Sequence, residues 1–242
     1  MVACARGKTA QEWLNGMCAL IAAVSVMRDT VRSAQEARRK LDCRVLAEIR
    51  HERKYRTLRA LLRHKKTSIL ITNPLTSFSY TETIRTLRRK IEQHMPDGGK
   101  TVLVTSVLEN EGKSTVAVNL ALSLAQKHRR VLLLDCDLRK PVLHKYLKAG
   151  HNVKGVSNIV SNQCKLEEAL LRLEQFKITF LPAGTPPPNP SELLGSARMQ
   201  QMIQQLRATF DYVIFDAPPI SMVTDAAVIG NQVDGALFVV RS

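Results

Sequence analysis

Four consecutive residues, Gly112-Lys113-Ser114-Thr115, carry the strongest chemical signal in the sequence. The apolar run Val102–Val104 precedes them, and the helix-forming stretch Val116–His128 follows. Strand, polar turn and helix in that order form a phosphate-binding P-loop. The N–H groups at a helix start are unpaired and carry partial positive charge. Glu111, Gly112, Lys113, Ser114 and Thr115 are therefore the candidate nucleotide-binding positions. In such a loop Lys113 reaches the β/γ-phosphates of ATP and the Ser114 hydroxyl ligates Mg²⁺. The usual pattern has glycine at position 107, where this chain has Val107. An ordinary strand-to-helix turn, with Gly and Ser serving geometry and capping, also fits the tetrapeptide alone.

Two further apolar runs end in carboxylates. Val131–Leu134 leads into Asp135-Cys136-Asp137, and Tyr212–Phe215 leads into Asp216. Ligands of open α/β sheets bind at the carboxyl ends of strands, so Asp135, Asp137 and Asp216 are expected beside the phosphate loop. A carboxylate there holds Mg²⁺, directly or through water, or accepts a proton from an attacking hydroxyl. Asp216 fits the Walker B position. Ser114, Asp135 and Asp216 form the candidate metal set, and Lys113, Asp135, Asp137 and Asp216 the candidate catalytic set. Strand-end turns capped by Asp are the plainer alternative.

The elements that must position these residues alternate between strand and helix. Further strands are expected at Ile178–Leu181 and Ala236–Val240, and a helix over Leu166–Leu173. Asn189-Pro190-Ser191-Glu192 reads as N-cap, N1 proline and N3 acid of another helix. Val223-Thr224-Asp225 opens one more. No element follows the last strand that would cover the sheet beyond it. Before the loop, Phe78, Ile84, Leu87 and Ile91 recur at helical spacing over Ser77–Gln93. Glu82, Arg85 and Arg88 repeat every third residue and are expected to share one face, as a salt-bridged surface or as a subunit contact. The fold class predicted is α/β: a P-loop NTPase whose mostly parallel sheet carries helices on both faces. A basic, helical juxtamembrane segment precedes it.

Composition adds a partner class. The net charge is +15, and Arg28 to Lys66 holds 14 Lys/Arg against 5 Asp/Glu. Such an excess suits an anionic surface or nucleotide. Only Tyr55 interrupts that stretch as an aromatic, so no nucleic acid is expected. Five scattered cysteines without a C-x-x-C pair argue against a zinc site or a disulfide framework. Trp13–Met27 is uncharged and apolar but shorter than a membrane span. It reads as the end of a membrane helix or as an interfacial helix, and basic residues follow as they do on a cytoplasmic flank. The expected division is 1–27 as partial membrane or interfacial helix, 28–76 as basic linker, and 77–242 as the nucleotide-binding domain. Val45–Ile49 reads as a short extended piece within the linker.

Five motifs in order, ETIRTLRR, SVLENEGKST, LLLDCDLRKP, PPNPSELLGS and VIFDAPP, resemble those of the bacterial tyrosine kinases. These are the cytoplasmic kinase domains of capsule and exopolysaccharide chain-length and export systems. The likeness runs from about Phe78 to Ser242. It implies that Lys113 and Ser114 bind Mg²⁺-ATP, that Asp137 activates a tyrosine hydroxyl, and that Asp216 is the Walker B carboxylate. Glu82, Arg85 and Arg88 match the E-x-x-R-x-x-R helix through which family members assemble into rings and phosphorylate neighbours. The implied setting is the cytoplasmic face of the bacterial inner membrane, with the polysaccharide export machinery and further copies of the chain as partners. The sequence departs from the family at Glu109-Asn110, where Pro-Gly is usual, and it ends at Ser242, before the position of the family's C-terminal tyrosine cluster. Asn tolerates positive φ, so the turn is expected to form. A partition-type ATPase that switches its dimerisation is the second reading. It would carry a lysine at position 108, where this chain has Leu108. A catalytically inactive chain-length-control protein is the third.

Overall fold

The structure, a computed structural model, describes residues 2–5, 44–50, 52, 69–95, 98–150 and 153–241. The Trp13–Met27 segment and most of the basic stretch lie outside the described residues. Among the described residues, no helix is long and apolar enough to cross a membrane.

Among the described residues, eight strands form one sheet in the order β2-β1-β8-β3-β7-β4-β6-β5. They are β1 (Val2–Ala5), β2 (Arg44–Ala47), β3 (Thr101–Ser106), β4 (Val131–Asp135), β5 (Leu171–Leu173), β6 (Ile178–Leu181), β7 (Tyr212–Asp216) and β8 (Gly235–Val239). The five central strands, β8-β3-β7-β4-β6, run parallel. Antiparallel strands close both edges. Side chains alternate across each strand, so apolar runs feed two cores. Val102, Val104, Leu133 and Ile214 pack on one face with helices α1 (Phe78–His94) and α2 (Lys113–Ala125). Leu103, Leu134, Val213 and Phe215 pack on the other with α7 (Ala197–Thr209) and α8 (Asp225–Gly230). Between α2 and α7 the chain forms the short helices α3 (Leu143–Leu147), α4 (Val156–Val160), α5 (Leu166–Ala169) and α6 (Pro190–Leu194).

Two expectations about elements are corrected. The helix expected over Leu166–Leu173 stops at Ala169, because Leu170 is extended (φ −74, ψ 122). Leu171–Leu173 continues as β5, pairing antiparallel with β6. Leu171, Arg172 and Leu173 alternate in burial, a period-2 pattern too short to register against the helical one. The last strand is also covered. β1, from the polar start of the chain, pairs antiparallel with β8, and β2 extends that edge. The expected extended piece in the linker is present as β2, and Val45, Leu46 and Ala47 are buried. Lys90 Nζ donates to Leu46 O at 2.6 Å, fastening β2 to α1.

Ser77 caps α1, its hydroxyl accepting from Tyr80 N. Ile84, Leu87 and Ile91 face the core; burying each such side chain contributes roughly 1.5–3 kcal/mol. Asn189 precedes Pro190 at the start of α6, as expected, and Asn189 Nδ2 donates to Glu192 Oε2 at 2.6 Å.

Candidate functional site

The strand order explains how distant residues meet. β7 lies between β3 and β4, so Asp216 ends its strand beside both. Asp216 is in register with Val104 on one side and with Asp135 on the other. Cys136 N donates to Asp216 O at 2.8 Å, extending the ladder past the strand end.

The loop between β3 and α2 turns twice through the left-handed region, at Asn110 (φ 64) and at Gly112 (φ 96). Asn110 therefore makes the turn without glycine. A Cβ at Gly112 would meet nothing within 4 Å, so it is the backbone angle that requires glycine there. Val107 fills the position of the usual first glycine and is buried in the core.

Lys113 Nζ donates to Asp137 Oδ2 at 3.1 Å, lies 3.8 Å from Asp216 Oδ1, and reaches Ser114 Oγ at 3.3 Å. Burial pushes the Lys113 ammonium down, but the charges of Asp216 and Asp137 outweigh it, and the net shift is upward. Asp137 also accepts from Lys140 N at 3.0 Å through Oδ1. Asp135 is buried and spends both oxygens on backbone, Oδ1 on Asp137 N and Oδ2 on Leu143 N. Burial, then the charge of Asp216, raises its carboxyl well above the usual range, against the Leu143 N–H. Asp216 is fully buried, and neither of its oxygens has a hydrogen-bond partner among the described residues. Burial lifts its pKa to about 6, while Lys113 and the nearby Ser114 hydroxyl oppose the rise.

Lys113, Ser114, Asp137 and Asp216 thus converge, while Asp135 holds the loop after β4 from behind them. A buried carboxylate with two unused oxygens beside a hydroxyl and an ammonium fits a cation carried by an anionic ligand. Thr115 Oγ1 lies 3.1 Å from Tyr146 OH, facing α3. Glu111 contributes in two parts: among the described residues its backbone N–H has no partner, and its carboxylate accepts from the loop's own amides at Val107 and Leu108.

The expected shared face on α1 divides. Glu82 and Arg85 pair at 2.6 Å on the half-exposed side. Arg88 is instead 8% exposed, and its Nη1 donates to Ser123 O of α2 at 2.9 Å. An interval of three falls short of a full 3.6-residue turn, so the third residue rotates toward α2.

Two interactions escape inspection of motifs. Asn119 is fully buried in α2 and binds Ile71 N, Ile69 O and Thr115 O, each at 2.8 Å. Its signal is a lone Asn in the otherwise apolar run Val116–Leu122. Arg139 Nε donates to Asp225 Oδ2 at 3.0 Å, and Ser191 Oγ donates to the same carboxylate, joining the β4 loop to α6 and α8.

A phosphate loop at the carboxyl end of a parallel sheet, with two strand-end carboxylates around its lysine, defines a P-loop nucleotide-binding protein. A family model described as an AAA domain matches residues 104–233. The tyrosine-protein kinase YwqD of Bacillus subtilis (strain 168) is 39% identical over 181 residues, covering 74% of this chain and 75% of its own length. CpsD, a tyrosine-protein kinase of Streptococcus agalactiae serotype III, is 41% identical over 143 residues. That match covers 59% of this chain and 62% of the relative. The kinase domain of the Escherichia coli tyrosine kinase ETK superposes with a TM-score of 0.67 at 30% identity, over 80% of this chain and 71% of that one. The chain belongs to the bacterial tyrosine-protein kinase family.

Proposed function

We propose that this chain is an ATP-dependent protein tyrosine kinase, acting between copies of itself and regulating polysaccharide synthesis and export. The observation that carries the proposal is the convergence of Lys113, Asp137 and Asp216. Mg²⁺-ATP, when bound, supplies the γ-phosphoryl group together with a cation that offsets its charge. Lys113 leaves Asp137 to hold phosphate oxygens, aided by the open amides at the start of α2. Ser114 and Asp216 would hold the cation, and Asp135 keeps Asp137 and the following loop in place. Asp137, released from Lys113, accepts the proton of the attacking tyrosine hydroxyl. Positioning and charge neutralisation supply most of the acceleration.

Among the described residues no tyrosine is exposed, which supports an acceptor from another molecule. Tyr80 is buried, its hydroxyl accepting from Asn119 Nδ2 at 3.2 Å, and burial first, then the charge of Glu52, pushes that hydroxyl's pKa up. Tyr146 and Tyr212 are half-buried. Glu82 and Arg85 provide the outward charge for contact between copies in a homo-oligomer, arranged as a ring in the family the chain resembles. Placement at the cytoplasmic face of the inner membrane follows from the basic stretch, which suits anionic lipid. The domain division at 27 and 76 belongs to the same reading, with β1 from the first segment and β2 and Ile69–Ile71 from the linker seated on the kinase core.

Asp137→Asn tests the role of the base. It removes the proton acceptor and retains a neutral partner near Lys113. The turnover number is expected to fall by roughly 100-fold or more while nucleotide affinity stays within about threefold. Equal loss in affinity and turnover would assign Asp137 to binding instead. Phosphate release without phosphotyrosine would favour the partition-type ATPase.

A further inference from the structure

We propose that Glu111 is the positioning residue of the phosphate loop: its carboxylate does the shaping that a glycine at position 107 does elsewhere, and ties that shape to the chain leaving the last strand. The proposal rests on the nucleotide-binding reading above.

Glu111 Oε2 accepts from Val107 N at 2.9 Å and from Leu108 N at 2.8 Å. Its other oxygen, Oε1, accepts from Arg241 N at 3.1 Å, just past the end of β8. The side chain therefore folds back over its own loop. The left-handed residues on either side, Asn110 and Gly112, permit this reversal. Such alternation turns successive amides toward a common concavity.

The loop is divided by these bonds. Across Ser106–Leu108 the backbone groups are occupied: Ser106 O by Ile220 N, Val107 O by Ser221, Leu108 O by Ser106 Oγ, and the Val107 and Leu108 amides by Glu111. Among the described residues, the amides of 109–115 have no such partners. Glu111 sits at the junction. It removes two amides from competition for phosphate and leaves the following ones free. It also resolves an electrostatic difficulty. A carboxylate next to a phosphate site is unfavourable, but here its lone pairs point at three N–H groups. With Val107 filling the core, no loop glycine precedes Gly112, and a carboxylate fixes the backbone instead.

Glu111→Ala and Glu111→Gln separate the possibilities, with Lys113→Ala as the control for binding. Two readouts are needed: amide hydrogen exchange without nucleotide, and Mg²⁺-ADP affinity by calorimetry. In wild-type protein the Val107 and Leu108 amides are expected to exchange slowly. In Glu111→Ala they should exchange about tenfold faster or more, and affinity should fall by about tenfold, because fewer molecules hold the competent loop. Glu111→Gln retains one carbonyl oxygen for both loop amides but turns its NH2 on the Arg241 N–H, so exchange of the loop amides should stay within about threefold of wild type while affinity falls between wild type and Glu111→Ala. Glu111→Ala behaving as wild type overturns the proposal, and so does Glu111→Gln as impaired as Glu111→Ala. Wild-type protein that binds no better than Lys113→Ala overturns the nucleotide reading instead, and the exchange rates then decide the loop claim alone.

Discussion

Burial, against the opposing pull of Lys113 and the Ser114 hydroxyl, holds the Asp216 carboxyl at a pKa of about 6, against 3.8 for an ordinary aspartate. Between those values the folded protein binds more protons than the unfolded chain. Stability therefore falls as pH rises through that window, and the full cost is present at neutral pH. Asp216→Asn should stabilise the nucleotide-free protein at neutral pH by on the order of 1–3 kcal/mol, and should flatten the decline in stability from acid to neutral pH. It should also abolish phosphoryl transfer. Urea melts across that range check the first claim, and an unchanged or lower neutral-pH stability would contradict it. At this scale the motif residues were legible: Lys113, Ser114, Asp137 and Asp216 meet as spacing implied, since strand ends in a parallel sheet share one edge. The different uses of Asp135 and Glu111 were not. A carboxylate's direction depends on which amides the neighbouring turn presents, and that is fixed only in three dimensions.

Helix α2 links the phosphate loop to the segment that enters the domain. Asn119 lies one turn beyond Thr115 and fixes Ile69 and Ile71 through one backbone bond each, with a third bond to Thr115 O. Asn119→Leu leaves Ile71 N and Ile69 O without that partner, while Thr115 O keeps its helical N–H. It should cost about 2–4 kcal/mol, and the Ile71 amide should exchange faster than in wild type by a matching factor. A melt within about 0.5 kcal/mol of wild type would show that the clasp contributes nothing. The parallel strands and their flanking helices were readable, because runs such as Val131–Leu134 bury both faces and stay apolar throughout. β1 and β5 were not. β1 pairs with β2 and β8, both distant in sequence, while β5 pairs with the adjacent β6 but is a short edge strand that carries little pattern of its own.

Across the whole molecule, α1 has two duties. Its half-exposed side carries the Glu82–Arg85 pair, and its inner side sends Arg88 to Ser123. Arg85→Glu should weaken self-association with a stability change within about 0.5 kcal/mol. Arg88→Ala should instead lower stability by about 1–3 kcal/mol, since it strips a buried carbonyl of its charged donor. Sedimentation paired with thermal melts distinguishes the two, and equal effects of both substitutions on assembly alone would contradict the assignment of Arg88. The most direct test of the kinase reading is phosphotyrosine formation. Purified protein with Mg²⁺-ATP should phosphorylate a tyrosine-rich peptide or further copies of itself, and Lys113→Met should abolish that signal. Phosphotyrosine absent from wild-type reactions, or equal in Lys113→Met, would contradict it.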